Sequence, residues 1–488
     1  MKFIFRALAS ITIGAIALLG FAPFEIWIAP FFSLLFLTLL ISGEGVKKRS
    51  LLLFLYGLGF FLPLLHWSSI YVGALPWIIL GIGQSIFIVL LTFAFPSGRL
   101  NIPLFTSFFF IVEFARSKLP FGGFGWGRLG FSQLDGPLQD WLRVGGVSLT
   151  GAALAFCAGV IGKSILDRRK YLSFTLVPFI LLPILISPSA GAIIGEEKFQ
   201  IGIIQGGVSQ LGFEFNSTAR DVFDRHFSES EKLLGRNSDI DIILWPENAS
   251  DLDPLKNTEI KGEILEMTRK YQVPMIIGAV LQGERGPENV SIMYSERGRV
   301  DSIYRKRDLV PFGEYIPLRN IASRISPLVD SVKDFVPGNE IISHKLNSLV
   351  FSPLICYEIL DDKTVLDSMK SSNIGVVQTN NATFGRSWQS AQQFQMTRVR
   401  AFEYQLPFIV AATTGQSAHI DQNGEVVKSI PSFQPGFFTI VEKPRQLAIP
   451  PFHSTLQLIF VFAFPLFFYA RASRERLNEK GRGRYVTK

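Results

Sequence analysis

The run of apolar segments that opens the chain constrains its fold more than any other feature. Segments near 4–22, 27–42, 51–67, 75–96, 101–115, 144–162 and 171–192 follow one another with little between them. Each is roughly 15–22 residues long, about what a helix needs to cross a hydrocarbon layer. In lipid such segments must satisfy their backbone groups internally, which makes them helices. An eighth lies near 450–470. The chain is 48% hydrophobic with 45 phenylalanines, too apolar for an ordinary soluble protein. FAPFEIW, not a small-residue cleavage site, follows the first span, so that span is read as a retained helix.

The pattern changes near GEEKFQIGI, at about residue 195. Strand-like runs then alternate with helix-like stretches. The runs are FQIGIIQ, DIILWPE, VPMIIGAVL, LVFSPLICYE, NIGVVQTNN and PFIVAATTG. The helix-like stretches include 217–235, 257–271 and 388–405. This alternation predicts an α/β domain. The expected organisation is a transmembrane domain over 1–193, a catalytic domain over 196–445, a final transmembrane helix over 449–471 and a basic tail over 472–488.

Charge sets the expected orientation. Lys2, Arg6, the Lys47–Arg49 cluster, Arg99, the 163–170 segment and the tail all fall on one side of eight spans. The positive-inside rule makes that side cytoplasmic, so both termini are cytoplasmic and the α/β domain is extracytoplasmic. The net charge of +8 is then a matter of topology, and no nucleic-acid partner is expected. Trp67, Trp126 and Trp141 are expected at the membrane interface, and FGGFGWG is expected as a flexible loop at the membrane surface. The five histidines are scattered and no metal-ligand spacing occurs, so neither metal nor cofactor is expected.

There are two cysteines. Cys157 lies in an apolar span and reads as a packing residue. Cys356 ends the run SPLIC, directly before Tyr357 and Glu358. A nucleophilic thiol needs a base for its proton, and the carbonyl it attacks needs a donor for the developing oxyanion. Glu247 in ILWPENAS and Lys306 in YRKRDLVPFGEYIP are of the right types. Each taken alone reads as well as a solvated surface charge.

The order WPE, then YRK followed by LVPFGEY, then ICYE resembles the nitrilase superfamily. LVPFGEYIP, and seven apolar spans before the α/β domain with one after it, resemble its apolipoprotein N-acyltransferase branch. FAPFEIW, GLGFFLPLLHW, GWGRLGFSQ, NNATFGRS, the Gln392–Glu403 helix and TTGQSAHIDQNG extend the likeness over nearly the whole chain. The resemblance implies an αββα sandwich for the α/β domain. It implies Cys356 as nucleophile, Glu247 as general base, Lys306 as oxyanion stabiliser and Glu314 as a second carboxylate orienting Lys306. Tyr357 and Glu358 are supporting residues, the Tyr357 N–H serving as a second oxyanion donor. The implied reaction moves a fatty acyl chain from a phospholipid donor, through a Cys thioester, to the N-terminal cysteine amine of a diacylglyceryl apolipoprotein. The implied location is a bacterial inner membrane with a periplasmic catalytic domain. The segment 316–335 is expected to be a mobile arm over the entrance. Departures from the family pattern are Asp308 for a usual His, Asn381 and Thr383 for a frequent Asp and Trp, and Gln392–Gln393 for a Gln-His pair. Asp308 adds a carboxylate near Lys306. The same triad would serve a membrane-tethered amidase; a non-enzymatic membrane interaction platform would need none of it.

Overall fold

The computed structural model describes residues 2–70, 73–187, 191–212, 217–324, 329 and 333–447. They form two compact units that divide near residue 188. The expected final span and basic tail lie outside the described residues, as does part of the expected arm.

Among the described residues the first unit holds α1 (Lys2–Leu18), α2 (Ala29–Ile41), α3 (Val46–Leu64), α4 (Ala74–Ile88), α5 (Ile102–Arg116), α6 (Asp140–Leu166) and α7 (Leu176–Ile186). Each falls on one of the seven apolar runs. Two helical stretches, Ala74–Ala94 and Asp140–Leu166, are long and apolar enough to cross a membrane. The first is 28% buried and the second 89%, so α4 turns apolar surface outward while α6 is enclosed by its neighbours. α1 and α3 approach through glycines: a methyl on Gly14 would run into the Tyr56 carbonyl, and one on Gly59 into the Ile11 carbonyl. Phe5, Ile86 and Leu185 stay exposed. Such a surface is costly in water and neutral in lipid.

Two expectations for this unit are corrected. Trp126 and Trp141 are buried; Trp126 lies against Trp67 with the rings tilted and Trp141 stacks on Phe179, so they pack the interior. The FGGFGWG segment is held, not loose. The Arg116 guanidinium, buried at the end of α5, donates to the carbonyls of Trp126 at 2.7 Å and Phe124 at 3.3 Å. Glu113, one turn earlier, accepts from the Leu129 N–H at 2.6 Å. A loop that satisfies buried charges is fixed by them.

Among the described residues the second unit holds two six-stranded sheets. The first comprises β1 (Phe199–Gln205), β2 (Ile242–Leu244), β3 (Met275–Gln282), β4 (Pro287–Tyr294), β5 (Val300–Arg305) and β12 (Gly436–Glu442), in the order β12-β1-β2-β3-β4-β5. The second comprises β6 (His344–Leu346), β7 (Leu349–Ile355), β8 (Ile374–Thr379), β9 (Phe408–Ala412), β10 (Ser417–Ile420) and β11 (Val426–Ile430), in the order β11-β10-β9-β8-β7-β6. The parallel trios β1-β2-β3 and β7-β8-β9 form the centres, and antiparallel strands flank them. Helices α8 (Asp221–Leu234) and α9 (Thr258–Tyr271) cover the first sheet. α11 (Asp362–Met369) and α12 (Gln389–Tyr404) pack on β7 and β9 of the second. The short α10 (Arg319–Ala322) follows β5.

Side-chain alternation explains this αββα order. Ile201, Ile203, Ile242, Leu244 and Ile276 face Phe351, Ile374, Val376 and Ile409 across the sandwich. Ile204, Ile243, Trp245, Met275 and Ile277 point the other way, onto α8 and α9. Strands buried on both faces must be apolar throughout, which is why these runs are continuous. Each such Ile, Leu or Phe contributes ~1.5–3 kcal/mol of burial free energy. Asn257 starts α9 by accepting from the Glu259 and Ile260 N–H groups, and Asp361 starts α11 by accepting from Lys363 and Thr364. Parallel strands place the ends of β2, β7 and β8 together. There Gln378 donates to the Trp245 carbonyl at 2.7 Å, joining the two sheets.

Candidate active site

Three strand ends deliver the expected residues to one place. Glu247 follows β2, in a turn where Asn248 takes φ 53°. The turn lies flat on β3 because Gly278 has no side chain: a Cβ there would sit 2.7 Å from the Glu247 Cα. Lys306 follows β5 directly, and Cys356 follows β7. Cys356 is the first residue of a 3-10 turn, Cys356–Leu360, and holds φ 52°. A non-glycine residue at such an angle is strained by ~1–3 kcal/mol, and its surroundings must hold it there.

Glu247 and Lys306, both buried, form a cluster with the part-buried Glu314. The Lys306 ammonium donates to Glu314 Oε1 at 2.8 Å and lies 3.7 Å from Glu247 Oε1. Glu247 Oε2 accepts from the Asn380 N–H at 2.7 Å, a bond that crosses between the sheets. Glu314 Oε2 accepts from the Val310 N–H at 2.8 Å. One ammonium cannot neutralise two carboxylates equally, and Glu314 has the short contact. Burial, with repulsion from Glu314, therefore holds the Glu247 carboxyl above the ordinary carboxylate range despite Lys306. Burial opposes the Lys306 charge, but Glu314, Glu247 and Cys356 together outweigh it, and the lysine stays charged.

Cys356 is coupled electrostatically to all three groups. Burial pushes its thiol up to about 12; Glu247 and Glu314 add to this and Lys306 opposes it. The resting sulfur is therefore a thiol. Two polar groups touch the sulfur, Thr379 Oγ1 and Gln393 Nε2, each at 3.6 Å.

Glu358 does not face the thiol. Its Oε1 accepts from Tyr304 Oη at 2.7 Å, the Arg307 N–H at 2.7 Å and the Asp308 N–H at 3.3 Å. Its Oε2 accepts from the Ile355 N–H at 2.7 Å. Burial, helped by Asp308, pushes Glu358 up to about 7. It thereby ties the end of β5 to the end of β7 and sets Lys306 beside Cys356. Tyr357 lies half-buried on the same turn. The carboxylates at Lys306 are Glu247 and Glu314. Asp308 instead presents its N–H to Glu358 and acts through its charge on Glu358 and Arg307.

Sequence reasoning missed Asn289. Its Nδ2 donates to Glu247 Oε1 at 2.8 Å and to Glu314 Oε1 at 3.0 Å, spanning the two carboxylates. Its carbonyl accepts from the Lys306 N–H at 2.9 Å, so the β4-β5 pairing sets it beside the lysine. The available signal was weak, one amide among the polar residues of PENVSIMY. Arg400 was also missed. Fully buried on α12, it donates to the carbonyls of Ile359 and Leu360 and to Asp362 and Glu403.

An acid, a lysine and a thiol on the strand ends of such a sandwich define a carbon-nitrogen hydrolase. Residues 224–446 match the family model described as "Carbon-nitrogen hydrolase", and residues 13–160 match "Apolipoprotein N-acyltransferase N-terminal domain". The apolipoprotein N-acyltransferase of Mycolicibacterium smegmatis is 30% identical over 87% of this chain and 78% of its own. That of Vibrio cholerae is 26% identical over 92% and 93%. That of Rhizobium leguminosarum bv. trifolii is 28% identical over 88% and 89%. The chain belongs to the apolipoprotein N-acyltransferase family. Among solved structures, an amidase from Nesterenkonia sp. matches with TM-score 0.39 and 15% identity, over 55% of this chain and 98% of its own. Saccharomyces cerevisiae Nit3, of the nitrilase superfamily, matches with TM-score 0.39 and 16% identity, over 52% and 93%.

Proposed function

We propose that this enzyme transfers a fatty acyl chain from a phospholipid to the N-terminal amine of a diacylglyceryl apolipoprotein, through a thioester on Cys356. Relatives that match it over 78% and 93% of their own length carry the name of that activity. The observation that carries the route is the Glu247–Lys306–Glu314 cluster, electrostatically coupled to a strained cysteine at a strand end.

In the first half, Glu247 takes the thiol proton as the sulfur attacks the ester carbonyl and a C–S bond forms. The oxyanion develops beside the Lys306 ammonium and the Tyr357 N–H. Collapse breaks the ester C–O bond, and the lysophospholipid leaves with the proton from Glu247. In the second half, the lipoprotein amine attacks the thioester and gives its proton to Glu247. The C–S bond breaks, and the thiolate recovers that proton. A covalent intermediate divides one transfer between two bulky lipids into two steps at one site. Glu247, held above the ordinary carboxylate range, is a stronger base than an exposed glutamate.

We place the helical unit in a bacterial inner membrane and the α/β unit on its outer face. The support is the excess of Lys and Arg on one side of the spans, the 116–143 loop being the basic exception, and the exposed apolar side chains of the helices.

The test supplies the purified enzyme with phospholipid and a synthetic diacylated lipopeptide. The expected product is the triacylated peptide, with one lysophospholipid per turnover. Release of free fatty acid without peptide acylation would show water as the acceptor and contradict the reading.

A further inference from the structure

The environment of the Cys356 sulfur contains one more hydrogen-bond donor than it needs at rest. Thr379 closes β8, and Gln393 lies on α12. Three donors surround Gln393 Oε1: Asn381 Nδ2 at 2.9 Å, Thr379 Oγ1 at 3.1 Å and Gln389 Nε2 at 3.2 Å. An amide oxygen has two lone pairs, so one of the three is surplus. Asn381 is itself fixed, since its Nδ2 also donates to Gln389 Oε1 at 2.9 Å. Filling Oε1 sets the roll of the Gln393 amide, and that roll aims Nε2 at the sulfur, 3.6 Å away.

Thr379 is the donor with a choice. Its oxygen lies 3.1 Å from Gln393 Oε1 and 3.6 Å from the sulfur, and it has one hydrogen. While the sulfur keeps its proton, the S–H can point at Thr379 Oγ1 and the hydroxyl can serve Gln393. Once the proton leaves, the hydroxyl can turn to the sulfur, because Asn381 and Gln389 still fill Gln393 Oε1.

We propose that Thr379 and Gln393 form a switchable, uncharged cradle for the Cys356 thiolate, with Asn381 and Gln389 as the positioning residues that release the Thr379 hydroxyl to it. The cradle acts in both halves of the reaction. It holds the thiolate as the proton moves to Glu247, and again when the sulfur leaves the thioester. All four side chains are neutral, so the cradle neither supplies a proton nor competes with Lys306 for a charged partner. This goes beyond the acid, lysine and cysteine roles and rests on Cys356 being the nucleophile.

The test is the alkylation rate of Cys356 by iodoacetamide in the full-length enzyme in detergent, at one fixed pH, read on the Cys356 peptide by mass spectrometry. Thr379→Val and Gln393→Met each remove a donor to an anion with little change of shape. Each is expected to slow alkylation about tenfold, with a matching fall in the rate of acyl-enzyme formation. Thr379→Ser keeps the hydroxyl and should stay within about twofold of wild type. Gln389→Met touches no sulfur, yet it removes the surplus and should slow alkylation about threefold. Wild-type alkylation rates in Thr379→Val and Gln393→Met would overturn the cradle. If Gln393→Met fails to fold, Thr379→Val against Thr379→Ser decides alone, and equal rates overturn it. Alkylation needs no lipid. A wild-type enzyme that forms the acyl adduct while its variants alkylate normally removes the cradle only. A wild type that forms no adduct removes the thioester reading, whatever the alkylation rates.

Discussion

Among the described residues, the α/β unit buries two cations, each between two carboxylates, and holds them differently. Arg400 lies between Glu403 at 2.6 Å and Asp362 at 2.7 Å and also donates to the carbonyls of Ile359 and Leu360. Its fork is committed to fixed partners on α12, α11 and the turn that carries Cys356. Lys306 has three N–H groups, of which one is committed at 2.8 Å to Glu314, while Glu247 stands off at 3.7 Å. A saturated cation holds the fold, and an under-committed one keeps donor capacity for a charge that appears only during reaction. The chemistry of the side chain matches the use: a rigid planar fork for Arg400, a mobile point charge for Lys306.

Paired substitutions would break this comparison if it is wrong. Lys306→Met should lower turnover per folded molecule by ~10²–10³-fold or more, because it removes an oxyanion donor. Arg400→Met leaves Glu403 and Asp362 as uncompensated buried charges and should cost ~3–5 kcal/mol of stability. Activity in Arg400→Met should then track the folded fraction, measured by thermal unfolding in detergent beside kcat. The reverse pattern, with Arg400→Met folded but dead and Lys306→Met as active per folded molecule as the wild type, would invert the assignment.

Asn289→Leu gives a smaller effect. It strips a shared donor from both Glu247 and Glu314 and should cost ~1–3 kcal/mol, with kcat falling more than KM rises. A change in KM alone would place Asn289 with substrate binding instead.

Glu247→Gln gives the smallest stability effect, and its sign is diagnostic. A carboxyl raised in the folded state contributes fully below its unfolded value and loses that contribution as pH rises through the folded value. Replacing it with a neutral amide should leave Tm nearly unchanged at about pH 4 and raise it at about pH 7.5, with activity lost at both. A lower Tm at the higher pH would show that Lys306 stabilises Glu247 more than burial penalises it.

Much of this was legible in the chain. Among the described residues, the apolar runs mark the seven α-helices of the first unit, because a long unbroken apolar run satisfies its backbone groups most simply as a helix. Glu247, Lys306 and Cys356 were legible because each ends a strand-like run within a recognisable motif. Asn289 was not, since its role depends on β4 lying between β3 and β5, and a sequence does not show pairing partners. Gln393 and Thr379 were hidden for the same reason: they meet the thiol only because β8 runs beside β7 and α12 packs behind. Trp126 and Trp141 were misplaced because an aromatic beside a span has the same sequence signature whether it anchors in an interface or packs inward. The buried Arg116 decided the Trp126 loop, and one-residue patterns do not show what a buried charge needs.

Intact mass spectrometry of the purified enzyme after incubation with phospholipid, wild type beside Cys356→Ala, tests the central claim most directly. The account predicts a gain of one fatty acyl mass on the wild type alone, discharged by a diacylated lipopeptide. A folded wild type that gains no mass, or an equal gain on Cys356→Ala, would contradict it.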